Sequence, residues 1–467
     1  MEQKKLLIRS KDDIIQFVNS NPVSKGGWKV ILVALGGVFV DAYDVVSLGI
    51  GTDQLKEQFH LSPSQLGMLT AIMAVGALLG GVLGGYYTDK FGRNKMFMID
   101  LFFMVFAALG AALAPNLPIL ILFRFLMGIG IGMDLPVALS FIAEYSNSQK
   151  KGQFVALWQA LWYIAAVATG LVILPFYLMG AADNIWRWAV GFGAVAALIV
   201  LIFRFMFMNE SPMWAATHLP LREAAKVLEK TYNISVTVQN NHQEQKISKE
   251  NKPYSIIFKP RYRARTILVG ILTSTQAMQY FAVGFYIPSI SAMLFGKGII
   301  NSISGTIFFN LFGILGGFCA AFLSNKFGIR KLTSTGYLIA FVSLVIIGVG
   351  GNLPGILSAL LLAVFIFGHS VGPGAQSKTM GAISYPTELR GLGTGWAEGA
   401  SRIGNMTGLF LFPVILASSG LAHTLLYLSI VPFIGYIGLK IIKWDPTNVD
   451  VENEEAFQES NSVTVSN

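Results

Sequence analysis

Apolar runs of about twenty residues recur along the chain, separated by short polar segments, at the length a helix needs to cross ~30 Å of hydrocarbon. They lie near 28–50, 65–87, 96–114, 119–142, 152–178 and 186–208, and, after a polar stretch, near 264–292, 302–325, 332–350, 354–379, 389–416 and 421–443. Lipid offers the backbone no hydrogen-bond partner, so each run reads as a helix. The pattern predicts an all-α membrane protein with twelve transmembrane helices in two six-helix pseudo-repeats. The divisions are a cytoplasmic N-terminal segment 1–27, a first bundle 28–208, a central loop 209–263, a second bundle 264–443 and a disordered tail 444–467. Within the loop, Leu221–Tyr232 alternates as an amphipathic surface helix. Residues 235–252, rich in Gln, Asn, Lys and Glu, are expected to be mobile.

Composition supports lipid as the solvent. Of 467 residues 54% are hydrophobic and 13% charged, against roughly a quarter charged in soluble domains. A soluble enzyme is excluded, and no nucleophile–base set or nucleotide loop is seen. The net charge of +9 is dispersed over short segments, which argues against nucleic acid as a partner and follows the positive-inside rule. Lys4, Lys5, Arg9, Lys11, Lys25, Lys29, Lys90, Arg93, Lys95, Lys150, Lys151, the cluster over 222–265, Lys326, Arg330, Lys331, Lys378, Arg390, Lys440 and Lys443 fall on one side. Lys56, Arg187 and Lys297 fall on the other. The chain is therefore expected to be multi-pass in the cell (plasma) membrane, with both termini cytoplasmic, acting as a monomer. The start does not read as a cleavable signal. One cysteine, Cys319, and five scattered histidines give no disulfide, no metal site and no cofactor.

The chain repeats itself. Leu79–Lys95 (LGGVLGGYYTDKFGRNK) aligns without a gap to Leu315–Lys331 (LGGFCAAFLSNKFGIRK) at an offset of 236 residues. Two parallel repeats fit the transporter architecture in which substrate sits between halves near the midplane.

The segment from Gly85 through Asp89, Lys90, Gly92 and Arg93 to Lys95 resembles the signature loop of the major facilitator superfamily. Arg124-Phe-Leu-Met-Gly128-Ile-Gly130-Ile-Gly132 resembles its fourth-helix motif. Glu144 with Lys151-Gly152, Glu210-Ser211-Pro212-Met213-Trp214, and Pro386-Thr-Glu388-Leu-Arg390-Gly391 are similar to sugar-porter-like signatures. Asp41-Ala-Tyr43-Asp44 resembles an element of aromatic-acid:proton and phosphate:proton symporters. Gly132-Met-Asp134-Leu-Pro136 resembles one of phosphate symporters and related metabolite permeases. Asn325 stands where the family has an acid, Met213 where it has Arg, and a terminal PETKG-like element is missing. The resemblance implies alternating access by rocking of the halves.

The charges inside the spans carry the candidate chemistry, because each costs ~2.5–3.5 kcal/mol at mid-bilayer on insertion scales. Asp41 and Asp44 share a helix face, with Asp41 ~18–20 Å from the cytoplasmic end and Asp134 on the fourth helix ~15 Å from it. Crowded carboxylates cannot all ionise, so Asp134 and Asp44, with Asp41 third, are the candidate proton carriers. The alternative is a carboxylate satisfying Tyr43, a backbone break or a nearby Arg. Pro136 is expected to bend the helix beside Asp134, and Gly128 and Gly132 to admit a neighbouring helix. The repeat offset carries the two acids of the first helix to positions 277 and 280, at and beside which stand Gln276, Gln279 and Tyr280, and Asp134 to 370, beside His369. These are candidate substrate-binding groups. Glu398 and Arg402, one turn apart, read as an i,i+4 pair or as a site in which Arg402 takes a substrate carboxylate or phosphate. His369 is a hydrogen-bonded core histidine or part of the proton route. Trp158, with Trp162, Tyr163 and Trp396, is a candidate for the cavity wall. Asp89, Arg93, Glu144 and Arg124 are candidate gate residues.

The sequence thus predicts a secondary active transporter, not an enzyme. It is expected to move a small polar metabolite, an organic acid anion in the leading reading, by proton symport. Inorganic phosphate or a sugar is the alternative substrate, and a proton-coupled exporter of the same fold the alternative direction.

Overall fold

A computed structural model describes residues 6–452 apart from 51–54, 56–57, 62, 181–183, 240–252, 297–298, 352 and 448. The predicted spans of the first half appear as α2 (Lys25–Ile50), α3 (Pro63–Phe91), α4 (Arg93–Ala112), α5 (Leu117–Tyr145), α6 (Lys151–Leu178) and α7 (Ile185–Phe207). In the second half α10 (Pro260–Val283) stops at Gly284 and resumes as α11 (Ile287–Phe295), followed by α12 (Ile299–Phe327) and α13 (Ile329–Gly350). The next span is α14 (Gly355–His369), one π turn over Ser370–Gly374 containing Pro373, and α15 (Ala375–Ile383). Last come α16 (Arg390–Leu428), broken at Gly420 where φ is 71°, and α17 (Ile430–Ile441). Ten helices among the described residues are long and apolar enough to cross a membrane. Phe102, Leu113, Phe205, Phe322 and Ile356 stand exposed on their outer faces, a surface that suits lipid rather than water.

Small residues set how closely the helices approach. A Cβ on Gly128 or Gly132 would lie 2.1 or 2.2 Å from the carbonyl oxygens of Met73 and Ala77 on α3. These two glycines therefore let α5 lie backbone to backbone against α3. The halves meet where α3 packs on α16 and α6 on α12.

One face carries both ends of the described chain. There β1 (Leu6–Ile8) pairs in parallel with β2 (Val236–Val238). Helix α1 (Lys11–Ser20) is opened by a capping box between Ser10 and Asp13. It packs its Ile14, Ile15 and Val18 on α8 (Pro212–His218) and α9 (Leu221–Tyr232). The N-terminal segment is thus folded with the central loop into one small layer. Part of the stretch expected to be mobile is strand β2, and its residues 240–252 lie outside the described residues.

The tail is a correction. Instead of leaving the protein at 444, it holds to the termini face as far as Glu452. Trp444 Nε1 donates to Ser384 Oγ at 2.8 Å, and Thr447 Oγ1 accepts from Ile329 N at 2.8 Å. The reason lies in the repeat. Gly92 (φ 99°) opens α4 beside the Glu210 carboxylate, and Gly328 (φ 83°) opens α13 beside that of Asp445. Each acid follows the last helix of its half and meets the signature turn of that half. Residues 453–467 lie outside the described residues.

Gly92 adopts a backbone conformation that side chains tolerate poorly, and a Cβ there would stand 2.4 Å from Glu210 Oε2. Gly92→Ala is therefore expected to cost ~1–3 kcal/mol, read as a lowered midpoint in thermal unfolding of the purified protein.

Candidate functional site

The charged groups fall into three clusters. The first closes the termini face between the halves. Arg93, at the start of α4, donates through Nη2 to Glu144 Oε1 at 2.7 Å and to the Thr387 carbonyl at 3.3 Å. Its backbone N–H donates to Glu210 Oε1 at 3.0 Å. Arg390, from the second half, meets the same Glu144 Oε1 at 3.2 Å and Glu452 Oε1 at 2.7 Å. Glu452 also accepts from Thr387 N at 2.9 Å and from Thr387 Oγ1 at 2.7 Å. The Arg93–Glu144 pair expected at the gate is present. Arg390 and Glu452 complete it. The sequence displayed Arg390 only as part of a motif, and Glu452 reads as one acid in a solvated tail. The side chain of Asp89 lies outside the described residues. Arg124 belongs elsewhere, a correction: it lies twenty residues before Glu144 on the same helix, ~30 Å away at 1.5 Å per residue. There its Nη1 donates to the Asp44 carbonyl at 3.3 Å.

The second cluster lies inside the first bundle. Arg204 of α7 reaches Asp100 of α4 at 2.5 Å, Asp134 of α5, and the Phe97 carbonyl. All three side chains are buried, and the guanidinium stacks 3.8 Å over the Phe97 ring. Gly37 of α2 lies against this pair, since a Cβ there would stand 2.5 Å from Asp134 Oδ2. Helix α5 runs on through Pro136 without interruption. One turn beyond Gly37, Asp41 is buried, and neither carboxylate oxygen has a hydrogen-bond partner among the described residues. It interacts electrostatically with Asp134, Asp100 and Arg204 on one side and with Arg402 and Lys378 of the second half on the other. Asp44 is also buried without a hydrogen bond to its carboxylate, pressed against Gly193 of α7. Of the three candidate carriers, Asp134 is thus ion-paired, and Asp41 is the one that interacts with charges of the second half.

The third cluster lines a small cavity of about 20 Å³ between the halves. From α6 come Trp158, Gln159 and Trp162, and from α10 come Gln276, Tyr280 and Phe281. His369, Lys378 and Arg402 complete the wall. Gln279 and Glu398, both expected to touch substrate, stand one layer behind. Gln279 Nε2 lies 2.9 Å from His369 Nδ1. Glu398 Oε2 takes the Lys378 ammonium at 2.6 Å while Oε1 meets Arg402 Nη2. The His369 ring lies nearly parallel to Tyr280, 5.3 Å between centroids. The Lys378 ammonium lies 5.0 Å over the Trp158 ring. Trp162 Nε1 donates to Tyr280 Oη at 3.0 Å across the halves. That pair separates this cavity from a second, more apolar one of about 30 Å³ lined in part by Val45, Val46, Thr306 and Asn310. Tyr163 packs at the edge of Tyr280, and Trp396 is engaged with the Thr266 carbonyl.

Lys378 is the main site residue that sequence reasoning missed. The sequence counted it among loop cations because the predicted span ended at 379. The helix instead continues to Ile383, which carries the ammonium inside the protein.

Two helical bundles closing on a cavity with charged walls, with an ion-pair network joining them at one face, define a secondary membrane transporter of the major facilitator fold. The chain belongs to the family described as "Sugar (and other) transporter", which it matches over residues 29–443. It is 25% identical to the inner membrane metabolite transport protein YgcS of Escherichia coli (strain K12), over 89% of this chain and 91% of that one. It is 25% identical to the niacin transporter NiaP of Acinetobacter baylyi, over 88% and 91%. Its fold matches the proton:xylose symporter XylE of E. coli with a TM-score of 0.78 at 20% identity, over 92% of this chain and 98% of that one.

Proposed function

We propose that this transporter imports a small monovalent organic acid together with a proton across the plasma membrane, with both termini in the cytoplasm. The observation that carries the reading is the pair of buried cations, Lys378 and Arg402, on the cavity wall among aromatic faces. With Asp41 protonated, a neutral sugar would leave one of the two charges without an answering group, whereas a carboxylate meets a guanidinium in a bidentate fork. The flat Trp158 ring and the Tyr280–His369 stack suit a ring better than a phosphate. A relative named for niacin carries a small aromatic acid by its name.

Charge balance supplies the coupling. On the cavity side Lys378 and Arg402 stand against Glu398 and Asp41, while behind Asp41 the Arg204 guanidinium is already answered by Asp100 and Asp134. With Asp41 ionised the set is neutral, and an entering anion gains nothing. With Asp41 protonated the set carries one positive charge, and a monoanion restores neutrality. In a low-dielectric site that difference decides occupancy, so anion and proton enter together. This moves the proton carrier from Asp134, held by Arg204, to Asp41, with Asp44 one turn away.

The test is uptake in proteoliposomes under an imposed pH gradient, scanning aromatic and aliphatic acids, phosphate and sugars. Asp41→Asn mimics the protonated state. Accumulation driven by the gradient is expected to fall by about tenfold or more, equivalent to ~1.4 kcal/mol, while exchange of labelled for unlabelled acid persists. Gradient-driven accumulation that survives in Asp41→Asn would remove the assignment.

A further inference from the structure

We infer that Glu398 sets the valence of the substrate: by neutralising one of the two cavity cations from behind, it makes the site select a planar monocarboxylate over a dicarboxylate. This rests on the anion reading above.

Glu398 does not line the cavity, whereas Lys378 and Arg402 do. One carboxylate oxygen is spent on each cation, Oε2 on Lys378 Nζ at 2.6 Å and Oε1 on Arg402 Nη2. All three side chains are buried. Glu398 is also confined at its back, because α3 closes on it: a Cβ on Gly81 would lie 3.1 Å from Glu398 Cγ. The cations keep donors for the cavity. Arg402 Nε has no hydrogen-bond partner among the described residues, and the Lys378 ammonium sits over Trp158. Recognition is therefore divided. Two cations present donors to the substrate, while half their joint charge is cancelled outside its reach.

Charge counting then fixes the ligand. The charged groups at the site are Lys378 of α15 and Arg402 of α16 on its wall, Glu398 of α16 behind them, and Asp41 of α2, which also faces the Arg204, Asp100 and Asp134 cluster of the first bundle; the net negative charge of that cluster repels a negative charge on Asp41. With Asp41 protonated, a monoanion brings the set to neutrality, and a dianion leaves one negative charge in excess in a dry site where it is poorly screened. Without Glu398 the balance moves by one. A dianion would then be matched, and a monoanion would be matched even with Asp41 ionised, so its binding would no longer require a proton.

Benzoate, phthalate and benzamide probe this, sharing a ring and carrying one, two and no negative charges at neutral pH. Each is titrated calorimetrically into the full chain in nanodiscs, and proton uptake is read from the dependence of heat on buffer. The wild type is expected to bind benzoate at least about tenfold more tightly than phthalate. Glu398→Gln is expected to shift that ratio toward phthalate by about tenfold or more, and to abolish proton uptake with benzoate. A purely structural role would weaken both ligands alike and leave the ratio in place. Lys378→Gln serves even if Glu398→Gln does not fold. It leaves Glu398 opposite Arg402 alone, so benzoate should lose at least about tenfold relative to benzamide. Ratios unchanged in the variants overturn the role of Glu398. A wild type that binds benzamide as tightly as benzoate, or binds neither acid, overturns the anion reading itself.

Discussion

Replacing Arg204 with methionine is expected to destabilise the protein by ~3–5 kcal/mol, the range seen when one partner of a buried ion pair is removed. The side chain is fully buried and answers two carboxylates, Asp100 and Asp134, together with the Phe97 carbonyl. Methionine fills much of the volume but supplies no donor. Two acids and a carbonyl would then lie between α4, α5 and α7 with neither water nor cation. Thermal unfolding of the detergent-purified protein, followed by tryptophan fluorescence, reads the loss. The cause is separable from the cavity left by the side chain. Adding Asp100→Asn and Asp134→Asn to Arg204→Met removes the uncompensated charge, and most of the lost stability is expected to return. Asp134→Asn alone should be milder, because Arg204 keeps Asp100. If the triple variant is no more stable than Arg204→Met, charge is not what holds these helices.

The second large effect is conformational. Arg390→Ala removes the link between Glu144 of the first half and Glu452 of the tail. Hydrogen bonds to charged groups contribute ~1.5–3 kcal/mol each, so losing one or two of them shifts the open population by about a hundredfold, ~2.7 kcal/mol. Spin labels at Lys150 and Lys326, exposed on opposite halves at the same face, in a Cys319→Ala background, would report the distance between the halves. Arg390→Ala is expected to convert a short distance into a broad longer one. Truncation after Lys443, which removes Glu452 but leaves the Arg390–Glu144 contact, should give the smaller part of that shift. A distance distribution unmoved by Arg390→Ala would mean that the network does not govern opening.

Much of this was legible in the chain, unevenly. The repeat between Leu79–Lys95 and Leu315–Lys331 displayed both signature turns, and its offset carries Gly92 onto Gly328. The same offset nearly joins Glu210 to Asp445, a correspondence that holds the start of the tail in place. It went unread because an acid near a polar terminus has the text of a solvated one. Lys378 was misassigned for a related reason: a lysine near the end of an apolar run is indistinguishable from a loop cation until the helix end is known. Arg124 was placed at the gate by its motif, although its position near the start of α5 sets it at the far end of that helix.

The sequence by itself determined the membrane as solvent, the helical spans and the two-fold repeat. These follow from length, apolar periodicity and composition, which are properties of each segment alone. It also flagged the acids at 41, 44 and 134 and the Glu398–Arg402 pair, because charge inside an apolar run is conspicuous whatever it meets. Only the tertiary structure decided their partners. Asp134 finds Arg204 and Asp100, while the Asp41 carboxylate, without a hydrogen bond among the described residues, feels charges of both halves. Glu398 retreats behind two cations that face the cavity. Whether a buried carboxylate is a strut, a counter-charge or a proton carrier depends on which charges stand within a few ångströms of it. Those charges come from helices far apart in sequence, and only packing brings them together.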